Sequence, residues 1–270
     1  MNSLIIKNAT ISTPTGNSAR KGAEMAALKT IPNGAIVVDN GIITYVGPQD
    51  SMPQISDSER YNVIDAGGRA VLPGFVDSHT HLIFGGYRPD EFEWRLKGDS
   101  YMSIMERGGG IQSTVNATRT EDVNSLVDKA QWFINRMSAM GITTVEAKSG
   151  YGLDTATELK MLEAIDRLAT TPGQKLRIIS TFLGAHAVPK EYKGRTGEYV
   201  DMMIKEMLPA VKGKAKFCDI FTEKNVFEIE DSRRFLKAAR EAGFQLKLHA
   251  DEIVTLGGAE LAAELGAVSA

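Results

Sequence analysis

The sequence predicts an α/β protein: a (β/α)8 TIM-type barrel, truncated after about strand 5 to 6, that follows a small β-sandwich part. From residue 70 onward, apolar strand patterns alternate with helical patterns, which is typical of a parallel sheet. Polar residues follow the C-terminal ends of several of these strands, where barrels build their active sites. The first predicted helix does not begin with the glycine-rich motif that binds a dinucleotide, which argues against an open nucleotide-binding sheet.

Residues 1–70 form the predicted small β part. Short β-branched runs lie at 3–7, 34–38 and 42–46, and Asn40-Gly41 between the last two is a strong hairpin signal. The polar, alanine-rich stretch at 17–29 is compatible with either a loop or a short helix. Residues 71–270 form the second predicted domain.

The second domain alternates strands with helices. We predict strands at 70–77, 141–147, 176–183, 217–222 and 244–249, with a sixth beginning at 266–269. Apolar residues recur at helical spacing in 125–140, 155–168, 198–211, 231–242 and 256–265. At roughly 38 residues for each strand and its connection, a complete barrel needs about a hundred residues more. We therefore expect the chain to be the N-terminal portion of a longer enzyme.

Composition excludes several classes of partner. The net charge is −3 and the pI is near 5.9, which gives no basic surface for nucleic acid. An apolar run of the ~18 residues needed to cross a bilayer is absent from the sequence, so no membrane partner is expected. The single cysteine, Cys218, cannot form an internal disulfide. We expect a cytoplasmic protein that acts on a small molecule.

The sequence has only four histidines, and two of them form a candidate metal site. His79 and His81 are two residues apart at the end of an apolar strand, so their side chains point to the same face and can bind one ion. Asp77 is available to orient an imidazole. The alternative is a pair of surface or core histidines without a ligand.

His249 is the candidate third ligand at the end of the fifth strand. Strand alternation places it with Lys247 on the face opposite Leu248, so it can bind the same ion only if that face points into the barrel mouth. Three histidine ligands would leave an open coordination position for water.

A family resemblance follows from these and further segments. Residues 71–81, Val-Leu-Pro-Gly-Phe-Val-Asp-Ser-His-Thr-His, resemble the first-strand signature of the amidohydrolase superfamily of metal-dependent hydrolases. Further segments are similar to the members that open a cyclic amide during histidine degradation; they lie at 84–92, 108–111, 146–153, 181–186 and 248–252. The resemblance covers essentially the whole chain. It also implies that residues 1–70 are one part of a composite β-sandwich that a C-terminal segment completes.

The resemblance implies a cofactor and its ligands. One divalent or trivalent metal ion, zinc or iron, would be held by His79, His81 and His249. In the family a fourth ligand, an aspartate, ends strand eight, and a further active-site histidine follows strand six. Both positions would lie beyond residue 270. A homodimer is also implied as possible.

The resemblance places substrate contacts on Arg88, Tyr151, His186 and Glu252, with His186 and Glu252 as the catalytic pair. The substrate that the resemblance implies carries a propionate, which the guanidinium of Arg88 can bind. The carboxylate of Glu252, three residues after His249, is suited to proton transfer. His186 would polarise the ring carbonyl or hydrogen-bond a ring nitrogen. The alternatives are a surface charge for Arg88, a packed loop residue for Tyr151 and a helix N-terminal charge for Glu252.

Superfamily members with two metals, such as dihydroorotases and hydantoinases, use a carboxylated lysine on strand four. Strand four ends here at 219–223 without a lysine, and Lys148 belongs to strand two by our assignment. A single ion is therefore favoured, unless that strand count is off by one.

The expected reaction is hydrolysis of 4-imidazolone-5-propanoate to N-formimidoyl-L-glutamate. The first alternative is an aminohydrolase, or deaminase, acting on a purine or pyrimidine base. Such bases lack the carboxylate that Arg88 would bind. The second alternative is an inactive fragment.

Overall fold

The computed structural model describes residues 3–56, 58–100, 103–104, 107 and 109–270. It divides into two compact units, Met1–Gly74 and Phe75–Ala270. The sequence predicts this boundary at residue 70. Gly108 of the glycine-rich segment at 108–111 lies outside the described residues.

The first unit is a mostly antiparallel sheet. In its described residues the strand order is β3-β2-β1-β4, and β5 pairs with the far half of β1. These strands are β1 Leu4–Pro14, β2 Leu28–Asp39, β3 Ile42–Pro48, β4 Asn62–Asp65 and β5 Ala70–Val71. Asn40 and Gly41 both have positive φ, which confirms the predicted hairpin turn.

The undecided stretch at 17–29 contains a short 3-10 turn, Gly22–Ala26, after which β2 begins. Two further 3-10 turns, Gln49–Ser51 and Ser58–Arg60, precede β4. The core of this unit is small. Ala9, Ile11, Ile31 and Ala66 form its buried apolar cluster, and Ile5, Ala35 and Val37 are buried as well.

The second unit is a curled parallel sheet with helices packed on it. Its strands are β6 Phe75–Thr80, β7 Ile142–Lys148, β8 Arg177–Ala185, β9 Phe217–Thr222, β10 Gln245–Leu246 and β11 His249–Ala250. They lie in sequence order, with β10 and β11 both paired to β9. This order confirms that Lys148 ends the second strand and that Asp219 lies on the fourth. The strand count is therefore not off by one, and Lys148 is not the strand-four lysine of a two-metal site.

Helices connect these strands. They are α1 Pro89–Leu96, α2 Ile111–Thr120, α3 Val123–Ala139, α4 Thr155–Thr170, α5 Thr196–Met202, α6 Leu208–Val211, α7 Ile229–Glu241 and α8 Gly258–Glu264, with a 3-10 turn at Lys190–Tyr192. The apolar faces predicted for α3 and α4 are buried against the sheet; they include Leu126, Ala130, Ile134, Met161, Leu162 and Ile165. Aspartate side chains cap both helices, Asp122 for α3 and Asp154 for α4.

The prediction of a single strand at 70–77 is wrong. Ala70–Val71 pairs with β1 in the first unit, whereas Phe75–Thr80 pairs with β7 in the second. Pro73 has no amide hydrogen to donate to a ladder, and Gly74 adds backbone freedom, so the apolar run divides there. His79 therefore lies within β6, and His81 follows it.

Three C-terminal predictions also change. The helix predicted at 198–211 contains a π-helical turn, Met203–Met207, because Pro209 cannot donate the hydrogen bond that a continuous α-helix needs. The strand predicted at 244–249 consists of the two short strands β10 and β11. The strand predicted at 266–269 is reduced to one bridge between Lys247 and Ser269 in the described chain.

Candidate active site

The C-terminal ends of three strands bring the four histidines together. His79 and His81 come from β6 and the position after it, His186 follows β8, and His249 begins β11. The ring centroids of His79 and His249 are 4.4 Å apart, and those of His81 and His249 are 5.3 Å apart. His186 stacks on His81 at 4.7 Å. Residues far apart in the sequence therefore form one imidazole cluster.

Three of these histidines have the geometry of a metal site. One ring nitrogen from each of His79, His81 and His249 lies within 4.8 Å of the other two. The Nε2 atoms of His81 and His249 are 3.3 Å apart. Two nitrogens at ~2.0–2.1 Å from one tetrahedral ion would be about 3.3 Å apart, so this pair fits a shared zinc-sized ion. Three imidazoles suit zinc and iron alike. The chain therefore carries a group that can hold a metal cofactor.

Burial favours the neutral form of three of the four imidazoles, those of His79, His81 and His186. It lowers the pKa of His81 to about 2, with the neighbouring histidines adding to the effect. It also lowers the pKa of His186 to about 4 and lowers that of His79. A neutral imidazole has a free lone pair, which is the form that binds a metal ion.

Asp219 orients His249. Its Oδ1 lies 3.1 Å from His249 Nδ1, which leaves Nε2 directed toward His81. The sequence assigns this kind of role to Asp77, and the structure differs. Asp77 Oδ1 accepts instead from the backbone amide of His79, at 3.5 Å. The carboxylate that touches an imidazole comes from the fourth strand rather than the first.

Below the histidines lies a buried network of charges. Lys148 Nζ donates to Glu146 Oε1 at 2.8 Å and to Asp219 Oδ2 at 2.7 Å. Lys247 Nζ lies 3.0 Å from Glu146 Oε2, and the Thr181 hydroxyl donates to Glu146. All five side chains are buried. We call the four charged residues, Glu146, Lys148, Asp219 and Lys247, the inner charge network.

The inner charge network settles which way the fifth strand faces. Lys247 and His249 both contact its acidic members, whereas Leu248 lies in the apolar core. The alternation predicted along 244–249 is therefore confirmed, and His249 lies on the inner face. The network itself was not predicted. Its signal in the sequence is the presence of charged residues at every second position of apolar strands, as at Glu146 and Lys148.

The loop after β7 carries Tyr151. The ring of Tyr151 lies 5.6 Å from that of His81 and 5.1 Å from that of His186. His186 Nδ1 lies 2.9 Å from the carbonyl oxygen of Gly150, so this loop also fixes the histidine. Tyr151 and His186, predicted as substrate contacts, thus lie beside the metal group.

Glu158, on the first turn of α4, holds the same loop. Its carboxylate accepts hydrogen bonds from the amides of Gly150 at 3.0 Å, Gly152 at 2.8 Å and Leu153 at 2.9 Å. Burial raises the pKa of Glu158, although these amides oppose the shift. Glu158 was not predicted as a site residue, because in the sequence it is an ordinary charge near a helix start.

Arg88 lies in a different environment. Its guanidinium is 3.6 Å from Glu91, and its side chain is 37% exposed. Glu91 is buried and accepts the amide hydrogen of Gly110 at 2.7 Å. These residues line a cavity of about 120 Å³ that also includes Trp94 and Arg107. The hydrogen bonds, ion pairs and ring contacts of the described chain do not join Arg88 to the histidines.

Glu252 is exposed on a bend after β11. Its interpretation as a helix N-terminal charge is wrong, because α8 begins only at Gly258. Asp251 accepts from the backbone amides there instead, with Leu256 at 2.7 Å and Gly258 at 3.1 Å. Glu252 forms no hydrogen bond or ion pair with another described residue, so its carboxylate is available to a ligand.

Among the described residues, none of the helices has the length and apolar character needed to cross a membrane.

Sequence comparison identifies relatives that align with essentially the whole length of this chain. A family model described as "Amidohydrolase family" matches residues 62–114. The imidazolonepropionase of Bacteroides thetaiotaomicron is 59% identical over 269 residues, which are 99% of this chain and 64% of that protein. That of Phocaeicola vulgatus is also 59% identical, over 100% of this chain and 65% of its own length. That of Clostridium tetani is 48% identical, over 99% and 64%. The chain thus spans less than two thirds of these relatives.

Solved structures show a related fold at low identity. A 5-methylcytosine deaminase from Klebsiella pneumoniae superposes with a TM-score of 0.64 at 18% identity, over 97% of this chain and 55% of that one. The guanine deaminase of E. coli gives a TM-score of 0.56 at 15% identity, over 97% and 60%. By its sequence, the chain is similar to the N-terminal portion of imidazolonepropionases, and its residues 62–114 match the amidohydrolase family model.

Proposed function

We propose that the protein containing this chain hydrolyses the cyclic amide C–N bond of 4-imidazolone-5-propanoate and yields N-formimidoyl-L-glutamate. The observation that carries the proposal is the imidazole cluster at the strand ends of a chain 59% identical to imidazolonepropionases. We further propose that the parallel sheet is part of a (β/α)8 barrel and that the first unit is part of a composite β-sandwich. A cytoplasmic homodimer is part of the same proposal.

His79, His81 and His249 would hold one zinc or iron ion. When bound, such an ion lowers the pKa of a coordinated water and polarises a carbonyl. Each of the three side chains directs a ring nitrogen to a common point, and Asp219 keeps the imidazole of His249 in orientation. Zinc and iron are both compatible with this set of ligands.

The geometry favours one of the two roles considered for His186. The carbonyl oxygen of Gly150 can only accept, so the hydrogen of the neutral imidazole lies on Nδ1. Nε2 is then an acceptor. It suits a hydrogen bond from a ring N–H of the substrate, and it cannot donate to the ring carbonyl. Tyr151, whose ring centroid lies 5.1 Å from that of His186, would contact the same substrate ring.

Arg88 would bind the propionate, and Glu252 would act as general base and acid. Both side chains are exposed, and neither is held in the histidine cluster. The pairing of Arg88 with Glu91 at 3.6 Å is long, so a substrate carboxylate with bidentate geometry would compete for the guanidinium. Glu252 follows His249 by three residues, close enough in sequence to reach the same substrate.

The loss of imidazolone absorbance during turnover tests the proposed reaction in the full-length protein. Release of ammonia from cytosine or guanine would instead indicate the aminohydrolase alternative. Failure to turn over the imidazolone would contradict the proposal.

Arg88→Ala tests the proposed carboxylate clamp. We expect KM to rise by roughly 10- to 100-fold, since a charge-assisted hydrogen bond contributes ~1.5–3 kcal/mol. Arg95→Ala is the control, because Arg95 is an exposed arginine of α1, the helix that begins directly after Arg88. We expect Arg95→Ala to leave KM within about twofold. Unchanged kinetics in Arg88→Ala would remove Arg88 from the binding site.

A further inference from the structure

We propose that Lys148 is a positioning residue of the metal centre: through Asp219 it fixes the tautomer and orientation of His249. The inference rests on the proposed metal site. It assigns a role to a buried lysine that contacts neither the substrate nor the ion.

Three buried side chains form the relay. Lys148 Nζ lies 2.7 Å from Asp219 Oδ2, and Asp219 Oδ1 lies 3.1 Å from His249 Nδ1. Lys148 and Asp219 are each 1% exposed, and His249 is 8% exposed. Solvent therefore does not replace either contact. Because Lys148 occupies one carboxylate oxygen, the other is directed at the imidazole.

The carboxylate determines which nitrogen of His249 carries the hydrogen. An ionised aspartate only accepts hydrogen bonds, so Nδ1 must be the donor and Nε2 keeps its lone pair. That Nε2 lies 3.3 Å from Nε2 of His81, at the point where the ion would bind. A group that orients a ligand histidine in this way commonly changes metal affinity by ~10- to 100-fold when it is removed.

The inner charge network offers Asp219 no other lysine among the described residues. Lys148 pairs with both Glu146 and Asp219, whereas the acidic partner of Lys247 is Glu146, at 3.0 Å. Without Lys148 the Asp219 carboxylate would be buried with no lysine or arginine beside it, an unfavourable arrangement. Asp219 would then rotate or take up a proton, and the orientation of His249 would be lost.

Lys247→Met is therefore a matched control for Lys148→Met. Both variants remove a buried lysine from the inner charge network, but only Lys148→Met removes the partner of Asp219. In the full-length protein stripped of metal, we expect Lys148→Met to bind Zn²⁺ about 10- to 100-fold more weakly in chelator competition. Lys247→Met should stay within about threefold. Equal losses of Zn²⁺ affinity in the two variants would show that Lys148 acts only as a buried structural charge, and would overturn the proposal.

A measurement on the unmodified protein keeps the proposal testable if Lys148→Met does not fold. Nitrogen-15 chemical shifts of the metal-free protein report the tautomer of each histidine. We expect His249 in the Nδ1–H form; an Nε2–H form would overturn the proposal. If the unmodified protein has this tautomer but fails to bind Zn²⁺, the proposed metal site is wrong. The orientation of His249 by Lys148 and Asp219 would still be supported.

Discussion

The candidate site has a buried side and an exposed side that are built differently. On the buried side, His186 and His249 each have a specific partner, Gly150 and Asp219, and both ring orientations are fixed by the protein. On the exposed side, Arg88 makes only a long ion pair, and Glu252 has no partner among the described residues. The fold therefore orients these two imidazoles before any ligand binds, whereas Arg88 and Glu252, also proposed to meet the substrate, are not fixed in this way.

Among the variants that test this comparison, Glu252→Gln should have the largest effect, a loss of kcat. A general base contributes typically ~10²–10⁴-fold, so kcat of the full-length protein should fall by that factor. Because Glu252 is exposed and unpaired, the free energy of unfolding should change by less than about 0.5 kcal/mol. Glu260→Gln, at an exposed position of α8, is the control and should leave both quantities unchanged. Retention of full turnover in Glu252→Gln would leave Glu252 without a catalytic role.

The stability of the metal-free protein tests the buried side through its pH dependence. Histidines in an unfolded chain have a pKa near 6.5, whereas the folded values are about 2 for His81 and about 4 for His186. The unfolded state therefore binds more protons below pH 6.5. The contribution of these residues to stability is complete above pH 6.5 and is lost as the pH falls toward 4.

We expect the free energy of unfolding, from urea titration, to fall by about 2–4 kcal/mol between pH 7 and pH 5. His186→Asn should remove about half of that loss, because it removes one of the two histidines whose pKa burial lowers most. A pH-independent free energy of unfolding over this range would contradict the burial of these imidazoles.

Glu158→Gln tests the loop beneath Tyr151, with the smallest expected effect. The amide nitrogen of glutamine would replace one acceptor oxygen and face a backbone N–H, so we expect a loss of about 1–3 kcal/mol in unfolding free energy. Glu163→Gln on the same helix is the control. Glu163 is paired with Arg167 at the surface, and its loss should cost less than about 0.5 kcal/mol. Similar losses in both variants would show that the loop does not depend on Glu158.

Much of the second unit could be predicted because its signals are local. The apolar periodicity of 155–168 predicts α4, and the spacing of His79 and His81 predicts two imidazoles on one face. The order of the strands follows from the same alternation. Local patterns did not predict where the apolar run at 70–77 divides, since both halves look like strand and only pairing partners distinguish them.

The inner charge network could not be predicted because it depends on three strands at once. A lysine such as Lys148 in an apolar strand reads as an anomaly until Glu146 and Asp219 are brought within 3 Å of it. The same limit applies to Asp219. In the sequence it is one acidic residue among 34 Asp and Glu, and only the parallel pairing of β9 with β11 places it beside His249.

The three amides that Glu158 holds have a consequence for ligand selection. Ordering a flexible backbone residue costs ~1–2 kcal/mol of conformational entropy, and here that cost is met during folding for the residues around Tyr151. A ligand that fits the preformed loop gains its contacts without this cost. A ligand of another shape would have to break the amide contacts to be accommodated, so the loop favours discrimination between ring substituents over tolerance of them.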